Sequence, residues 1–387
     1  MNKKLLSLAI ATAFAAPLAQ ASEMTIYGVA DVAVSSISVG TALNDTGGTP
    51  AGGADYWDLN NGASRLGVKG SEDLGNGLKA IYKMEFGVPM TDTGNNIRDN
   101  AEVITMRNTY VGLAADWGTF LMGRHDTPLK ISTGALDLFS DTIADYNQGG
   151  LLGSNPVGGV EGGTAATNPV MPGLGLVDAR ADNAIAYVSP NMNGFTLAGA
   201  IVPPGNATVA GTTPADNNRA DGLANAYSVA AMYSNGPFYA SLAYETYDQD
   251  VFISTSDLDL DLVRAGLGYT ANNFHVGFVY EDQDLGGTNA LGTGNDISVW
   301  QLSGSYTFGN NVVKAAYGER DAGADWGTAA AATVLGSVTQ NDVDQWTLGL
   351  DHNFSKKTKA YAVYTNVDSA TANADWSAFS AGIRTNF

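Results

Sequence analysis

Residues Ser377–Phe387 read SAFSAGIRTNF, and their side chains alternate in character along the chain. Successive side chains of an extended strand point to opposite faces. One row of side chains is mostly apolar, and it consists of Phe379, Ala381, Ile383 and Phe387. The other row is small, polar or charged, and it consists of Ser380, Gly382, Arg384 and Asn386. This alternation is typical of a strand with lipid on one side and water on the other.

The same two-residue alternation recurs upstream, for example in Ser298–Phe308 and Gln345–Phe354. Their aromatic residues fall near strand ends, where a membrane barrel carries its girdles. A single strand of this kind could instead lay its apolar face on a protein core. Repeated strands with a small, polar opposite face are hard to close into one core, however.

Short and long connections alternate between these strands. The short turns are rich in residues that tolerate the positive φ of hairpins, and they fall at 74–77, 191–194, 235–237, 271–273, 309–311 and 355–357. The longer connections span roughly 40–62, 88–101, 125–178, 203–222, 248–258, 283–296, 321–341 and 368–375. A membrane barrel needs this asymmetry, with short turns at one rim and long loops at the other.

Sixteen strands are predicted, at 24–36, 63–70, 78–87, 102–114, 118–125, 179–189, 194–202, 223–234, 237–247, 259–270, 273–282, 297–308, 312–320, 342–354, 358–367 and 376–387. An even number returns the chain to the rim at which it starts. A barrel of this size is wide enough for an aqueous channel. We therefore expect an all-β fold, a 16-stranded antiparallel transmembrane β-barrel.

The N-terminus has the layout of a secretory signal peptide. Lys3 and Lys4 precede the apolar run Leu5–Ala16, and small residues end the segment at Ala21. The apolar run is shorter than the ~20 residues that span a bilayer as a helix. We expect a signal peptide at 1–21 and a single barrel domain at 22–387.

Composition excludes several classes of function. The net charge of −20 is the wrong sign for binding nucleic acid phosphates. The chain has no cysteine, and its three histidines, His125, His275 and His352, form no metal-ligand spacing. His125 beside Asp126 is the only pair that could suggest a catalytic dyad, and a polar pair in a loop is the simpler interpretation. We therefore expect no enzymatic activity, no metal and no cofactor.

Several motifs resemble those of the general trimeric porins of Gram-negative outer membranes, in the branch of the beta- and gammaproteobacteria. The motifs occur in the family's order, and they are Thr25–Asp31 (TIYGVAD), Ser64–Leu74 (SRLGVKGSEDL), Gly77–Glu85 (GLKAIYKME), Arg107–Leu113 (RNTYVGL), Trp117–Arg124 (WGTFLMGR), Arg180–Pro190 (RADNAIAYVSP) and Ala381–Phe387. The resemblance covers most of the chain after residue 21.

This resemblance implies a homotrimer in the outer membrane, in contact with lipid and lipopolysaccharide. It also implies that Phe387 helps the barrel-assembly machinery to recognise the chain. The third loop, which follows Arg124, would fold into the barrel and narrow the pore. The distal part of that loop, Gln148–Val177, is Gly-rich and nearly uncharged, and it could lie outside the pore.

The resemblance places arginines on the barrel wall and carboxylates on the facing loop. Arg65, Arg107 and Arg180 match the family's motifs. The predicted constriction comprises Arg65, Arg107, Arg124, Asp126, Lys130, Asp137, Asp141, Asp145 and Arg180, and which Asp lines the pore stays open. Further basic residues are expected to face the lumen, and they are Lys69, Arg264, Arg320 and Arg384. All these charges could also simply keep the lumen hydrated.

We expect a passive diffusion channel for small hydrophilic solutes and ions. Charge at a narrow, water-filled gap decides ionic preference. The acidic net charge predicts a weak preference for cations. Two alternatives stay open: a substrate-selective porin, and a structural or adhesive barrel with a plugged lumen.

Overall fold

The computed structural model describes residues 24–40, 54–91, 104–148, 172–203, 223–247, 259–286, 296–322, 342–370 and 373–387. The predicted signal peptide at 1–21 lies outside these residues. No helix among the described residues is long and apolar enough to cross a bilayer.

The chain folds into one antiparallel sheet of eighteen strands that closes on itself, because β1 pairs with β18. The first nine strands are β1 (Thr25–Val39), β2 (Ala54–Asn61), β3 (Arg65–Gly75), β4 (Leu78–Gly87), β5 (Thr105–Met106), β6 (Thr109–Ala115), β7 (Gly118–Asp126), β8 (Arg180–Val188) and β9 (Phe195–Val202). The remaining nine are β10 (Ala226–Asn235), β11 (Phe238–Tyr247), β12 (Asp259–Ala271), β13 (Phe274–Gly286), β14 (Asp296–Phe308), β15 (Asn311–Asp321), β16 (Val343–Asn353), β17 (Thr358–Ser369) and β18 (Trp376–Asn386).

At two positions around the barrel, one full-length strand is divided into two shorter strands. Strands β2 and β3 both pair with β1, and strands β5 and β6 both pair with β4. Each of these two pairs therefore occupies the place of a single strand in the barrel wall. Counted in this way, the eighteen strands make a closed 16-stranded antiparallel barrel. The predicted fold class is confirmed.

The ends of several strands differ from the prediction. The predicted loop 40–62 contains strand β2, whose eight residues ADYWDLNN alternate too weakly to indicate a strand. The predicted strand 102–114 is broken between Met106 and Thr109. Strand β1, whose sequence does not alternate cleanly, has a regular alternation of buried and more exposed residues from Val29 to Val39.

The predicted tight turns join neighbouring strands at one rim, which we call the turn rim; the opposite rim is the loop rim. Several turn residues have the left-handed backbone that these turns require, such as Asn76 with φ 54° and Gly309 with φ 57°. Both ends of the described chain lie at the turn rim, where Phe387 and Gly28 exchange two backbone hydrogen bonds of 3.1 Å.

The two rows of each strand face opposite sides of the barrel wall. The outward row carries large exposed apolar side chains, such as Leu302, Leu348 and Ile383. The inward row is small, polar or charged. Ser303 and Thr347 are examples, and both are buried. A long loop packs over Ser303, whose hydroxyl donates to the carbonyl of Leu136.

Candidate functional site

The connection between β7 and β8, here called loop L3, runs along the inside of the barrel wall. Its described parts are 127–148 and 172–179. It starts with the short helix α1 (Pro128–Thr133), whose N-cap Thr127 accepts a hydrogen bond from the amide of Lys130. Leu129, Phe139 and Leu174 are fully buried, so the loop has its own apolar contacts with the wall.

Inward polar side chains of the wall bind the backbone of L3. Ser303 donates to the carbonyl of Leu136 at 3.1 Å, and Lys314 donates to the carbonyl of Leu138 at 3.0 Å. Further donors to L3 carbonyls are Tyr239 to Ser132, Gln345 to Ala144, Trp376 to Pro172 and Gln283 to Gly175. Buried carbonyls need such partners. The loop is therefore held along the inner face from β11 to β18.

Glycines on the inward rows make room for the loop. A Cβ atom on Gly349 would lie 2.7 Å from the ring of Phe139, and one on Gly318 would lie 2.7 Å from Leu174. Such distances are too short for carbon atoms in contact. The small residues of the inward rows therefore leave the space that L3 fills, besides facing water.

The most buried contact of L3 is a set of charged residues that we call the clasp: Arg264, Glu281, Asp178 and Thr133. Arg264 on β12 donates to Asp178 at 2.7 Å, to Thr133 at 3.0 Å and to the Val177 carbonyl at 2.6 Å. It also pairs with Glu281 on β13. Thr133 belongs to the first arm of L3 and Asp178 to the second, so one guanidinium holds both arms.

The tip of L3 meets charged residues of the wall beside the opening that the loop leaves. Asp141 lies at that tip, and one of its carboxylate oxygens pairs with Arg65 at 3.2 Å and with Arg384 at 3.0 Å. Arg384 also pairs with Asp31 at 3.2 Å, and Tyr361 donates to the same carboxylate at 2.7 Å. Two wall arginines and the loop tip thus form one edge of the opening.

A second group lies on β4 beside the break between β5 and β6. Arg107 pairs with Glu85 at 3.2 Å, and Lys83 pairs with the other oxygen of Glu85 at 3.1 Å. Tyr27 donates to that carboxylate at 2.7 Å. Two cations therefore share one carboxylate on this part of the wall.

A third group closes the other edge of the opening. Asp126, at the end of β7, pairs with Arg180 at 3.0 Å and with Lys130 of helix α1 at 3.4 Å. Asn108 donates to the same carboxylate at 2.7 Å and accepts from Arg180. Again two cations surround a single acid.

We call these three groups together the eyelet. Its six cations are Arg65, Lys83, Arg107, Lys130, Arg180 and Arg384, and its four carboxylates are Asp31, Glu85, Asp126 and Asp141. The charges stand on two facing surfaces, the wall and the loop. The arrangement can orient dipolar solutes, obstruct apolar ones and discriminate between ions by sign.

The structure brings most of the predicted constriction residues together, and it places the others elsewhere in the barrel or the loop. Arg65, Arg107, Arg180, Asp126, Lys130 and Asp141 are all in the eyelet. Arg384, predicted only to face the lumen, belongs to it as well. Lys83, Glu85 and Asp31 were missed, although Lys83 and Glu85 share the row of Lys69 on the neighbouring strand.

The prediction that Arg124 lines the constriction is wrong. Arg124 pairs with Thr109 in the β6–β7 register, on the outward row that also carries Met122. It forms an ion pair with the exposed Asp182. A register shift between Gly123 and His125, together with the positive φ of Asn183, re-aims side chains at this point.

Other predicted residues have structural roles. The carboxylate of Asp145 accepts from the amides of Asp141 and Asn147, so it shapes the loop. The Asp137 carboxylate accepts from the Phe139 amide in a similar way. Arg264 and Arg320 are on inward rows, but both are buried and do not line open water as predicted. Lys69 does face inward, with its ammonium 5.2 Å from the Tyr27 ring centroid.

The histidines have local partners. His125 has its Nδ1 2.8 Å from the backbone oxygen of Asp126, and not from the carboxylate that a dyad would use. His352 is on the outward row, beside Phe354. Within the described ranges, no cluster of three or more potential ligand residues could hold a metal ion.

Electrostatics keeps the loop tip charged. Burial alone would raise the pKa of Asp141, but Arg65, Arg384 and Arg107 together hold it below its ordinary value. Asp141 is therefore ionised throughout the physiological range, and it neutralises part of the arginine charge in the eyelet.

Asp145 makes loop order depend on pH. Burial is the main cause that raises the pKa of its carboxyl to about 7, and the nearby Asp178 and Asp141 carboxylates add to it. The folded loop thus binds this proton more tightly than an unfolded chain, whose Asp has a pKa of ~3.9. The resulting stabilisation is complete below about pH 4 and is lost as the pH rises through about 7.

We therefore expect open-channel current noise to rise between about pH 5 and pH 8. The measurement is a pH series in planar bilayers, and Asp145→Asn should flatten it because the amide does not titrate. An equally steep pH dependence in this variant would show that Asp145 is not the responsible group.

The model of a family described as Gram-negative porin matches residues 7–372 of the chain. The chain belongs to the Gram-negative porin family. It is 29% identical to outer membrane porin protein 32 of Delftia acidovorans, over 96% of this chain and 92% of that protein. It is 26% identical to major outer membrane protein P.IB of Neisseria gonorrhoeae, over 93% of this chain and 92% of that protein.

Solved structures show the same fold. The anion-selective porin from Comamonas acidovorans superposes with a TM-score of 0.70 at 22% identity, over 95% of this chain and 100% of that one. OmpT of Vibrio cholerae, in a trimer form, superposes with a TM-score of 0.60 at 17% identity, over 95% and 100%. This porin is therefore a passive channel of the Gram-negative outer membrane. Its turn rim faces the periplasm and its loop rim the outside, as in other barrels of this kind.

Proposed function

We propose that this porin favours small anions over cations of equal size. The observation that carries the proposal is the charge of the eyelet, in which six cations face four carboxylates. Arginine suits this task because it stays charged among like neighbours. A net positive ring in a narrow gap attracts anions and repels cations.

This proposal replaces the weak cation preference that the net charge of −20 predicts. Much of the described acid is on the outward rows near the loop rim, where it does not border the lumen. Asp284, Asp296 and Asp344 are examples, in register with outward partners on neighbouring strands. Surface charge of this kind is screened within ~8 Å at physiological salt. The name of the Comamonas relative, an anion-selective porin, agrees with the proposal.

We also propose that the channel works as a homotrimer without catalytic activity, after removal of residues 1–21. The trimer form of the OmpT relative supports the assembly. Contacts with lipopolysaccharide, and recognition of Phe387 by the barrel-assembly machinery, are part of the same proposal. Crosslinking of the purified protein tests the trimer directly, and a single band at the monomer mass would contradict it.

Flux measurements test the charge preference with solutes of nearly equal size. Liposomes containing the porin are diluted into isotonic glucose, gluconate or glucosamine, and the swelling rates are compared. We expect gluconate to enter faster than glucosamine. Faster entry of glucosamine would overturn the anion preference, and equal rates would show that the eyelet does not discriminate by sign.

A further inference from the structure

A cavity of about 700 Å³ extends from the underside of L3 to the turn between β16 and β17. Its lining includes six basic residues, Arg65, Lys130, Lys356, Lys357, Lys359 and Arg384. It includes only three acids, Asp126, Asp137 and Asp141. Asp126 and Asp141 already have two cationic partners each in the eyelet. The cavity therefore carries a surplus of positive charge on the periplasmic side of the eyelet.

The basic residues nearest the turn rim form an ordered row. Lys359 on β17 and Arg384 on β18 are direct partners in the antiparallel register, which puts their Cα atoms about 5 Å apart. Lys357 comes two residues before Lys359, in the turn that precedes β17, and it also lines the cavity. We call Lys357, Lys359 and Arg384 the basic ladder. It leads from the turn rim to Arg65 at the eyelet through the shared carboxylate of Asp141.

The cations of the ladder are only partly neutralised. Arg384 pairs with Asp31 and Asp141, and Lys359 pairs with Asp351 at 2.8 Å. Asp351 is itself shared with Lys314 at 3.1 Å. The exposed Lys357 and its neighbour Lys356 have no acidic partner among the described residues. Positive charge therefore accumulates towards the turn rim.

From this row we infer that the cavity is a binding subsite for small solutes that carry two or more carboxylate or phosphate groups. The inference rests on the proposed anion preference and names the solute class within it. A chloride ion contacts one cation of the basic ladder at a time. A multivalent anion contacts neighbouring cations at once, so the attraction energies of several contacts add, while the anion loses its rotational freedom only once. Ser355 and Thr358 also border the cavity and can add hydroxyl donors.

The test is block of the chloride current by citrate. Single trimers are recorded in planar bilayers in KCl, and citrate or acetate is added to the periplasmic side. Citrate is expected to interrupt the current at concentrations at which acetate does not. The double variant Lys357→Gln/Lys359→Gln should raise the half-blocking concentration of citrate by about fivefold, since each exposed charge contact contributes modestly.

A matched control removes the same charge from a nearby part of the wall that lies outside the cavity. Lys69 and Lys79 are on the inward rows of β3 and β4 and do not line the cavity. Lys69→Gln/Lys79→Gln should keep the citrate block. If the control weakens the block as much as the ladder variant does, the block depends on the overall positive charge of the lumen, and the subsite is overturned. Lys357→Gln alone, in an exposed turn, provides a second variant whose folding is not in question.

The design separates this inference from the proposed function. The reversal potential of the wild type is measured on the same membranes. Chloride preference together with citrate block no stronger than that of acetate would overturn the subsite alone. Loss of chloride preference would overturn the anion preference and the subsite with it.

Discussion

Replacing Arg264 with methionine is expected to loosen L3 and widen the channel. The Arg264 guanidinium donates hydrogen bonds to both arms of the loop, to Thr133 on the first arm and to Asp178 on the second. The variant also leaves Glu281 buried without its cation, which costs on the order of 3–5 kcal/mol. This loss of stability affects the loop more than the barrel, because the backbone hydrogen bonds between the strands stay intact.

Single-channel recording checks this prediction through two quantities, mean conductance and open-channel noise, and both should rise. Arg264→Lys should have an intermediate effect, because it keeps the charge and loses the fork that reaches several acceptors. Arg124→Met is the matched control, the same substitution on an outward row, where the side chain pairs with Asp182 of β8 and not with L3. A folded Arg264→Met trimer with the conductance and noise of the wild type would show that the clasp does not hold the loop.

Removing the two arginines that flank Asp141 is expected to abolish the anion preference. The double variant Arg65→Gln/Arg384→Gln takes two of six cations from the eyelet and leaves four carboxylates. The balance then becomes neutral, and Asp141 loses two of the three arginines that hold its pKa down. A change of ~1.4 kcal/mol between the ions would alter the permeability ratio about tenfold.

Reversal potentials of the variant, measured between about pH 6 and pH 8, check this expectation. Asp141→Asn is the opposite change and should strengthen the anion preference. Lys69→Gln/Lys79→Gln removes the same charge from inward residues that have no ion pair in the eyelet, and it should have a smaller effect. The eyelet assignment would be contradicted if both double variants shifted the potential equally.

The barrel could be predicted from the sequence because its signals are local. Two-residue alternation, as in Ser377–Phe387, sets the face of each side chain, and turns such as 74–77 set the hairpins. Strand β2 escaped prediction because its polar residues, such as Asp55 and Asp58, hide the alternation. The alternation of β7, which puts Arg124 on the outward row of Met122, was the signal that could have excluded it from the constriction.

The interior of the channel depended on contacts between distant parts of the chain. Arg264 and Asp178 are 86 residues apart, and nothing near either one indicates the other. The inward glycines looked like water-facing positions, whereas Gly318 and Gly349 make room for L3. Net charge is a weak guide to selectivity for a related reason: it sums all residues, and only those that border the lumen act on a passing ion.

We expect the eyelet, and not the net charge, to set the selectivity of the pore. The zero-current potential of the wild-type channel, in a planar bilayer with unequal KCl concentrations on the two sides, measures this selectivity. The structure predicts the sign that corresponds to chloride crossing more readily than potassium. A potential of the opposite sign would contradict the claim.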